Sequence, residues 1–319
     1  MQKLFDRLLL AAAALALCVV VLGAYVRLSD AGLGCPDWPG CYGHLTVPHS
    51  AAAQQVFPDK PLETHKAWKE MVHRYFAGTL GLLILAICVT AWRGRGRLAT
   101  SPVLPTALLL LVMMQAALGM WTVTLLLKPV IVSLHLLGGM ATLALLVWLA
   151  SSRYLPAASG NARWALLGLA VLVCQILLGG WTSSNYAALV CPDFPACQGA
   201  WWPHTDFANA FHLVRELGVN ADGSQLSIES LTAIHLAHRL GALVTFLYLG
   251  WLGSKLLRVH GLESWAKLLL GLLLAQIGLG ISNVVFSLPL LVAVAHNAGA
   301  AMLLITLVVI NSKLMRQGG

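Results

Sequence analysis

Four histidines lie in apolar stretches of this chain at spacings that repeat: His73, His135, His238 and His296. Gln115 and His135 recur as Gln276 and His296, each 161 positions later, and His73-Arg74 recurs as His238-Arg239 at an offset of 165. Ionisable side chains at membrane depth are costly and generally mark function. Two imidazoles on facing helices are the usual means of holding a b-type haem inside a bundle. The repeated pairs therefore predict two metal or haem centres, or one centre and its degenerate copy. A single histidine in a membrane helix is often only a helix–helix hydrogen bond. A proton relay is a third reading. Neither explains four histidines at one level, with Gly138 and Gly299 three residues after His135 and His296.

The elements that must position these residues are membrane helices. The chain has 319 residues, is 59% hydrophobic and 10% charged, with mean hydropathy +0.79. So little charge excludes a soluble domain of this length. Eight apolar runs are long enough to cross ~30 Å of hydrocarbon as helix, at about 8–27, 71–92, 104–125, 130–150, 163–184, 231–254, 265–287 and 290–312. The first is too long for a signal peptide and has a repeat partner in mid-chain. The predicted fold is an all-α integral membrane protein, its eight helices forming two tandem four-helix bundles of the same orientation, 1–152 and 153–319.

The net charge of +8 follows the membrane and implies no nucleic acid. Lys3, Arg7, Arg93, Arg95, Arg97, Arg153, Arg163, Lys255, Arg258, Lys267, Lys313 and Arg316 fall on one side of an eight-span topology. The positive-inside rule makes both termini cytoplasmic and sends the long loops, about 28–69 and 185–230, to the periplasm or its equivalent.

Each long loop carries a Cys-Pro-Asp-aromatic-Pro-small-Cys segment, Cys35 to Cys41 and Cys191 to Cys197, at an offset of 156. On the oxidising side of a membrane, two prolines per ring favour closure of each pair. A loop staple and a redox-active or shielding disulfide over a cofactor both fit, and zinc shared with His44 or His204 is a third reading. Cys18, Cys88 and Cys174 lie within spans and read as small buried hydrophobes. Segments 3, 5 and 7 share Gln-x-x-Leu-Gly at Gln115, Gln175 and Gln276, so a helical hairpin used four times is a candidate unit.

Around the histidines, Gly138 and Gly299 would let a flat macrocycle lie against the backbone. Arg74 and Arg239 have the fork geometry for haem propionates. Glu70 stands three residues before His73, on its face of the helix, where His235 stands before His238. Only the first centre thus has a carboxylate directed at it, as expected if one site does chemistry and the other transfers electrons. His44, His49, His65, His204, His212 and His260 read as solvated loop residues.

Eight spans in two halves, Glu70-x-x-His73, and histidines near the starts of segments 2, 4, 6 and 8 together resemble the haem A synthase family over essentially the whole chain. The Cys-x5-Cys loops are similar to those of its bacterial members. The resemblance implies oxidation of the C8 methyl of haem O, by two hydroxylations and loss of water, to the formyl group of haem A. It implies that His73 and His135 bind haem O, that Glu70 is catalytic, and that His238 and His296 ligate haem b. It also implies disulfides Cys35–Cys41 and Cys191–Cys197, and residence in the bacterial cytoplasmic membrane. Partners would be haem O synthase as donor and cytochrome oxidase assembly as recipient, with lipid around the chain. The electron donor and any homo-oligomer are left open. The alternative is a b-type cytochrome that exchanges electrons with quinol and leaves haem unmodified. Two histidines would also fill the axial positions of an iron, so His73 or His135 must release it or oxidation must be outer-sphere. The loop near 205–230 has no reading.

Overall fold

The computed structural model describes residues 1–98, 100–220 and 222–316; the last three residues of the predicted C-terminal half lie outside them. All eight predicted spans form helices, and no strand is present among the described residues. They are α1 (Gln2–Leu28), α3 (Thr64–Arg93), α4 (Val103–Thr124), α5 (Pro129–Tyr154), α6 (Ala162–Ser184), α8 (Ile228–Leu256), α9 (Glu263–Val285) and α10 (Leu290–Met315). Two short helices lie in the loops, α2 (Ser50–Val56) and α7 (Phe207–Ala210). Each of the eight holds at least 22 residues, about 33 Å at 1.5 Å per residue, and so spans the hydrocarbon. The protein is a multi-pass membrane protein.

Two of the histidine-bearing helices start before the apolar runs that reveal them, α3 by seven residues and α8 by three. α3 begins at Thr64 and α8 at Ile228, so His73 and His238 lie about three turns inside their helices rather than at the opening. Hydropathy locates hydrocarbon, whereas backbone i→i−4 bonds continue through the polar stretch Thr64–Lys69 just as well in water. His65, assigned to a loop from sequence, is consequently the second residue of α3, although it is exposed as expected.

The chain divides into two compact units, residues 1–127 with 134–150, and residues 128–133 with 151–319. In the first, α3 packs on α1 and α4, and α5 meets α4 and α1 at Gly119 and Val20. In the second, α6 packs on α8 and α10, and α9 packs on the same two helices. The turn after α4 places Leu126 and Leu127 at positive φ (49° and 59°), and that after α9 does the same with Ser287 and Leu288 (55° and 63°). Leu127 N–H donates to Thr122 O at 2.9 Å and Leu288 N–H to Asn283 O at 2.7 Å. These bonds satisfy carbonyls that the helix end would otherwise orphan.

Cys88 is buried, but Cys18 and Cys174 are exposed. The sequence reading of all three as buried is corrected for those two. A thiol in an apolar span can be exposed as readily as enclosed, so apolar context alone does not fix its burial.

Candidate functional site

Each of the four histidines is set against a glycine of the spanning helix that precedes it. A Cβ on Gly23 of α1 would lie 3.0 Å from His73 Cε1, and one on Gly119 of α4 would lie 3.3 Å from His135 Cε1. In the second unit a Cβ on Gly179 of α6 would lie 3.0 Å from His238 Cε1, and one on Gly280 of α9 would lie 3.2 Å from His296 Cε1. Such separations are tighter than side chains normally accept, so glycine is what allows each imidazole to reach its neighbour helix. Helix geometry then brings the histidines together by pairs. His73 lies within electrostatic reach of His135, and His238 of His296.

All four residues are half-buried. The Nδ1 atoms of His73, His135 and His296 are nevertheless enclosed and without a hydrogen-bond partner. An enclosed polar atom left unpaired is expensive and calls for an explanation. Two imidazoles per unit fit an iron that brings four ligands of its own in a porphyrin. Among the described residues no group of three His, Cys, Asp or Glu gathers to hold a bare metal ion.

The glycines three residues after the histidines have a different use from the one their spacing predicts. A Cβ on Gly138 would overlap the Gln115 side chain, and one on Gly299 would overlap that of Gln276. A glutamine, rather than a macrocycle, occupies the space at each. Gly241, three after His238, receives Gln175 in the same way. Gln175 Nε2 donates to His238 O at 3.0 Å and lies 3.0 Å from His238 Nδ1. Gln276 Nε2 donates to His296 O at 3.0 Å and lies 3.4 Å from His296 Nε2. The Gln-x-x-Leu-Gly motif of segments 3, 5 and 7 thus supplies both the glutamine and the glycine against which the next histidine packs. That motif was the available signal for Gly119, Gly179 and Gly280, whose contacts with the histidines are not predicted from spacing.

Glu70 and Arg74 are built into the first cysteine loop. Glu70 is buried, 4% exposed. Its Oε2 accepts the Cys35 N–H at 2.9 Å and its Oε1 pairs with Arg74 at 2.5 Å. Arg74 also donates to the carbonyls of Asp37, Pro39 and Gly40. Arg239 does the same in the second loop, donating to the carbonyls of Cys191, Asp193, Pro195 and Ala196. The spacing directs these groups at a cofactor; in the structure their hydrogen bonds run to the loops above the histidines. Arg239 keeps an enclosed Nε without a partner. His235, in the place of Glu70, bonds through Nδ1 to Ala187 O at 3.0 Å.

The loops themselves are closed by disulfides Cys35–Cys41 and Cys191–Cys197. The aspartate of each motif organises the turn. Asp37 accepts from Tyr42 N–H and Gly43 N–H at 2.6 and 2.7 Å, and Asp193 from Gln198 N–H and Gly199 N–H at 2.7 and 2.8 Å. The Gly199 and Gln198 amides hold the Asp193 carboxyl below its ordinary range. His44, His49, His65, His204, His212 and His260 are all exposed.

The loop near 205–230 is fastened to the end of α6. Arg215, 5% exposed, donates to Asn185 Oδ1, Val219 O and His212 O and stacks 5.7 Å from the Trp181 ring. Trp181 Nε1–H donates to Ala210 O at 3.0 Å. Trp181 lies two residues after Gly179, so this segment is anchored beside the His238 contact. Nothing in the local sequence marks Arg215, because the contact that fastens it to α6, with Asn185, is to a residue 30 positions away in the chain.

A family model described as cytochrome oxidase assembly protein, COX15-CtaA, matches residues 6–308. The protein called Heme A synthase in Shewanella oneidensis is 48% identical over 307 residues, covering 92% of each chain. Proteins of the same name from Caulobacter sp. strain K31 and Methylobacterium radiotolerans are each 29% identical, covering 92% and 96% of this chain and 91% and 89% of their own. With a model match over nearly all of its length, the chain belongs to the COX15-CtaA family of cytochrome oxidase assembly proteins.

Proposed function

We propose that this protein is a haem A synthase, an enzyme that oxidises the C8 methyl of haem O to the formyl group of haem A for cytochrome oxidase assembly. The observation that supports it best is a pair of half-buried histidines in each of two helical units, only one of which has a carboxylate beside it. His73 and His135 hold the substrate haem O in the N-terminal half, 1–152. His238 and His296 hold haem b in the C-terminal half, 153–319, where Gln175 and Gln276 fix them. Haem b, when bound, supplies one-electron transfer. Glu70, one helical turn before His73, would give and take protons at the substrate site. The Cys35 amide and Arg74 fix its carboxylate, and Arg74 and Arg239 hold the two cysteine loops over the sites.

Haem O synthase supplies the substrate, and the product passes to cytochrome oxidase. Both termini are cytoplasmic and the disulfide loops periplasmic, in the orientation that the basic residues dictate. The test is to purify the protein from cells that make haem O, extract the haems, and identify them by chromatography and mass. Haem B together with haem O or haem A is expected. Haem B alone in an active preparation would leave an electron-transfer cytochrome instead.

A further inference from the structure

The four glycine–histidine contacts share one design, and one of them departs from it. In three, a glutamine stands four residues before the receiving glycine: Gln115 before Gly119, Gln175 before Gly179 and Gln276 before Gly280. In the same three, a glycine follows the histidine by three residues, and the glutamine fills the space of its absent Cβ at Gly138, Gly241 and Gly299. Around His73 both members are replaced. Val19 stands four before Gly23, and Phe76 stands three after His73. The paired loss is physically consistent, because the glutamine can lie there only when the position after the histidine has no side chain.

The tether has measurable content at the second site. Gln175 and Gln276 each bond the main-chain carbonyl of their histidine at 3.0 Å and approach its ring. At the first site Gln115 occupies the corresponding place against Gly138, behind His135, with its side-chain polar atoms unpartnered. Valine at 19 has nothing to offer His73. Residues that orient a metal-bound histidine from behind strengthen its hold, and losing them weakens metal binding by about 10–100-fold.

We propose that His73, set apart by Val19 and Phe76, is the most weakly positioned of the four histidines that would hold haem iron, and that it would be the one to release the iron at the substrate site while His135 stays. The proposal rests on the haem A synthase reading and answers the coordination problem that two histidines create. It traces that difference to two residues, Val19 in α1 and Phe76 in α3, that stand where the other three contacts have glutamine and glycine.

The holoprotein is purified, reduced and mixed with carbon monoxide, and its haems are identified by pyridine haemochrome and mass. Carbon monoxide is expected to bind the haem held by His73 and His135 and to leave that held by His238 and His296 unchanged. The double variant Val19→Gln/Phe76→Gly, which installs the missing pair, should slow that binding at least about tenfold. Gln276→Val, which removes a tether, should make the second haem reactive to carbon monoxide. Wild-type reaction at the His238–His296 haem, or an unchanged rate in a double variant with full haem content, overturns the proposal. If the double variant loses haem, Gln276→Val decides: continued inertness of the second haem also overturns it. A preparation with haem B alone would remove the synthase reading while leaving the comparison of the two sites readable from the same rates.

Discussion

Replacing Glu70 separates its two roles, because the structure gives it one outside the chemistry. Its carboxylate holds the Cys35 amide and the Arg74 guanidinium in a buried position. Truncation in Glu70→Ala removes one charged hydrogen bond to a main-chain N–H and one buried ion pair. Each charged hydrogen bond is worth about 1.5–3 kcal/mol. Breaking a buried pair by deleting one partner costs about 3–5 kcal/mol when the other charge is stranded. Arg74 is not stranded, since it keeps carbonyl acceptors at Asp37, Pro39 and Gly40. A cost near the lower end, about 2 kcal/mol, is therefore expected, and it falls on opening of the loop. Cys35 and Cys41 are fully buried, so a reductant reaches them only when the loop opens. Two kcal/mol corresponds to reduction about 30-fold faster. Cys191–Cys197, whose loop Glu70 does not touch, is the internal control and should keep its rate. Glu70→Gln, which retains an acceptor for Cys35 N–H, should give a smaller acceleration. Alkylation of released thiols followed by peptide mass spectrometry reads both rates. Equal reduction in wild type and Glu70→Ala would refute the anchoring role. Haem A formation is read in parallel: loss in Glu70→Gln with the loop still closed points to proton handling, and full activity there removes Glu70 from the chemistry.

Three further outcomes are expected. Gly179→Val places a side chain where only 3.0 Å separates a Cβ from His238, so haem content should fall from two to one per chain with haem O retained; two haems at wild-type affinity would contradict the close packing. Asp193 has a depressed carboxyl pKa, so its contribution to the second loop is present above the unfolded value of about 4 and lost as pH falls through the folded value. Reduction of Cys191–Cys197 by a phosphine should accordingly accelerate in acid, and Asp193→Asn should flatten that dependence; an identical profile in the variant would exclude Asp193 as its source. Arg215→Ala removes three hydrogen bonds and the Trp181 stack, so chymotryptic cleavage near Phe211 and Leu213 should quicken severalfold, and an unchanged rate would show the segment to be held elsewhere.

The spanning helices were legible because hydrocarbon imposes a length and a composition that few other environments require. The histidine pairs were legible for a related reason, since a costly residue recurring at fixed offsets has few explanations. The surroundings of those histidines were less so. Gly138 and Gly299 read as seats for a flat ring, yet Gln115 and Gln276 fill them, because helix crossing decides which neighbour reaches a missing Cβ. Arg74 and Arg239 have the right chemistry for propionates, but a guanidinium binds carbonyls equally well, and two loops folded by Asp37 and Asp193 present several. Arg215 carried no signal, its role depending on Asn185 and Trp181 in a distant segment.

By itself, then, the sequence determined the membrane class, the eight spans, the four histidines and the family resemblance, all of which depend on residue type and periodicity along one chain. The tertiary structure decided which atom faces which. It set each histidine against a glycine of the preceding span, tied Glu70 to Cys35, and laid Gln115, Gln175 and Gln276 into the space beside Gly138, Gly241 and Gly299. Such pairings depend on the approach of separate helices within a few ångströms, and spacing along the chain does not encode that distance.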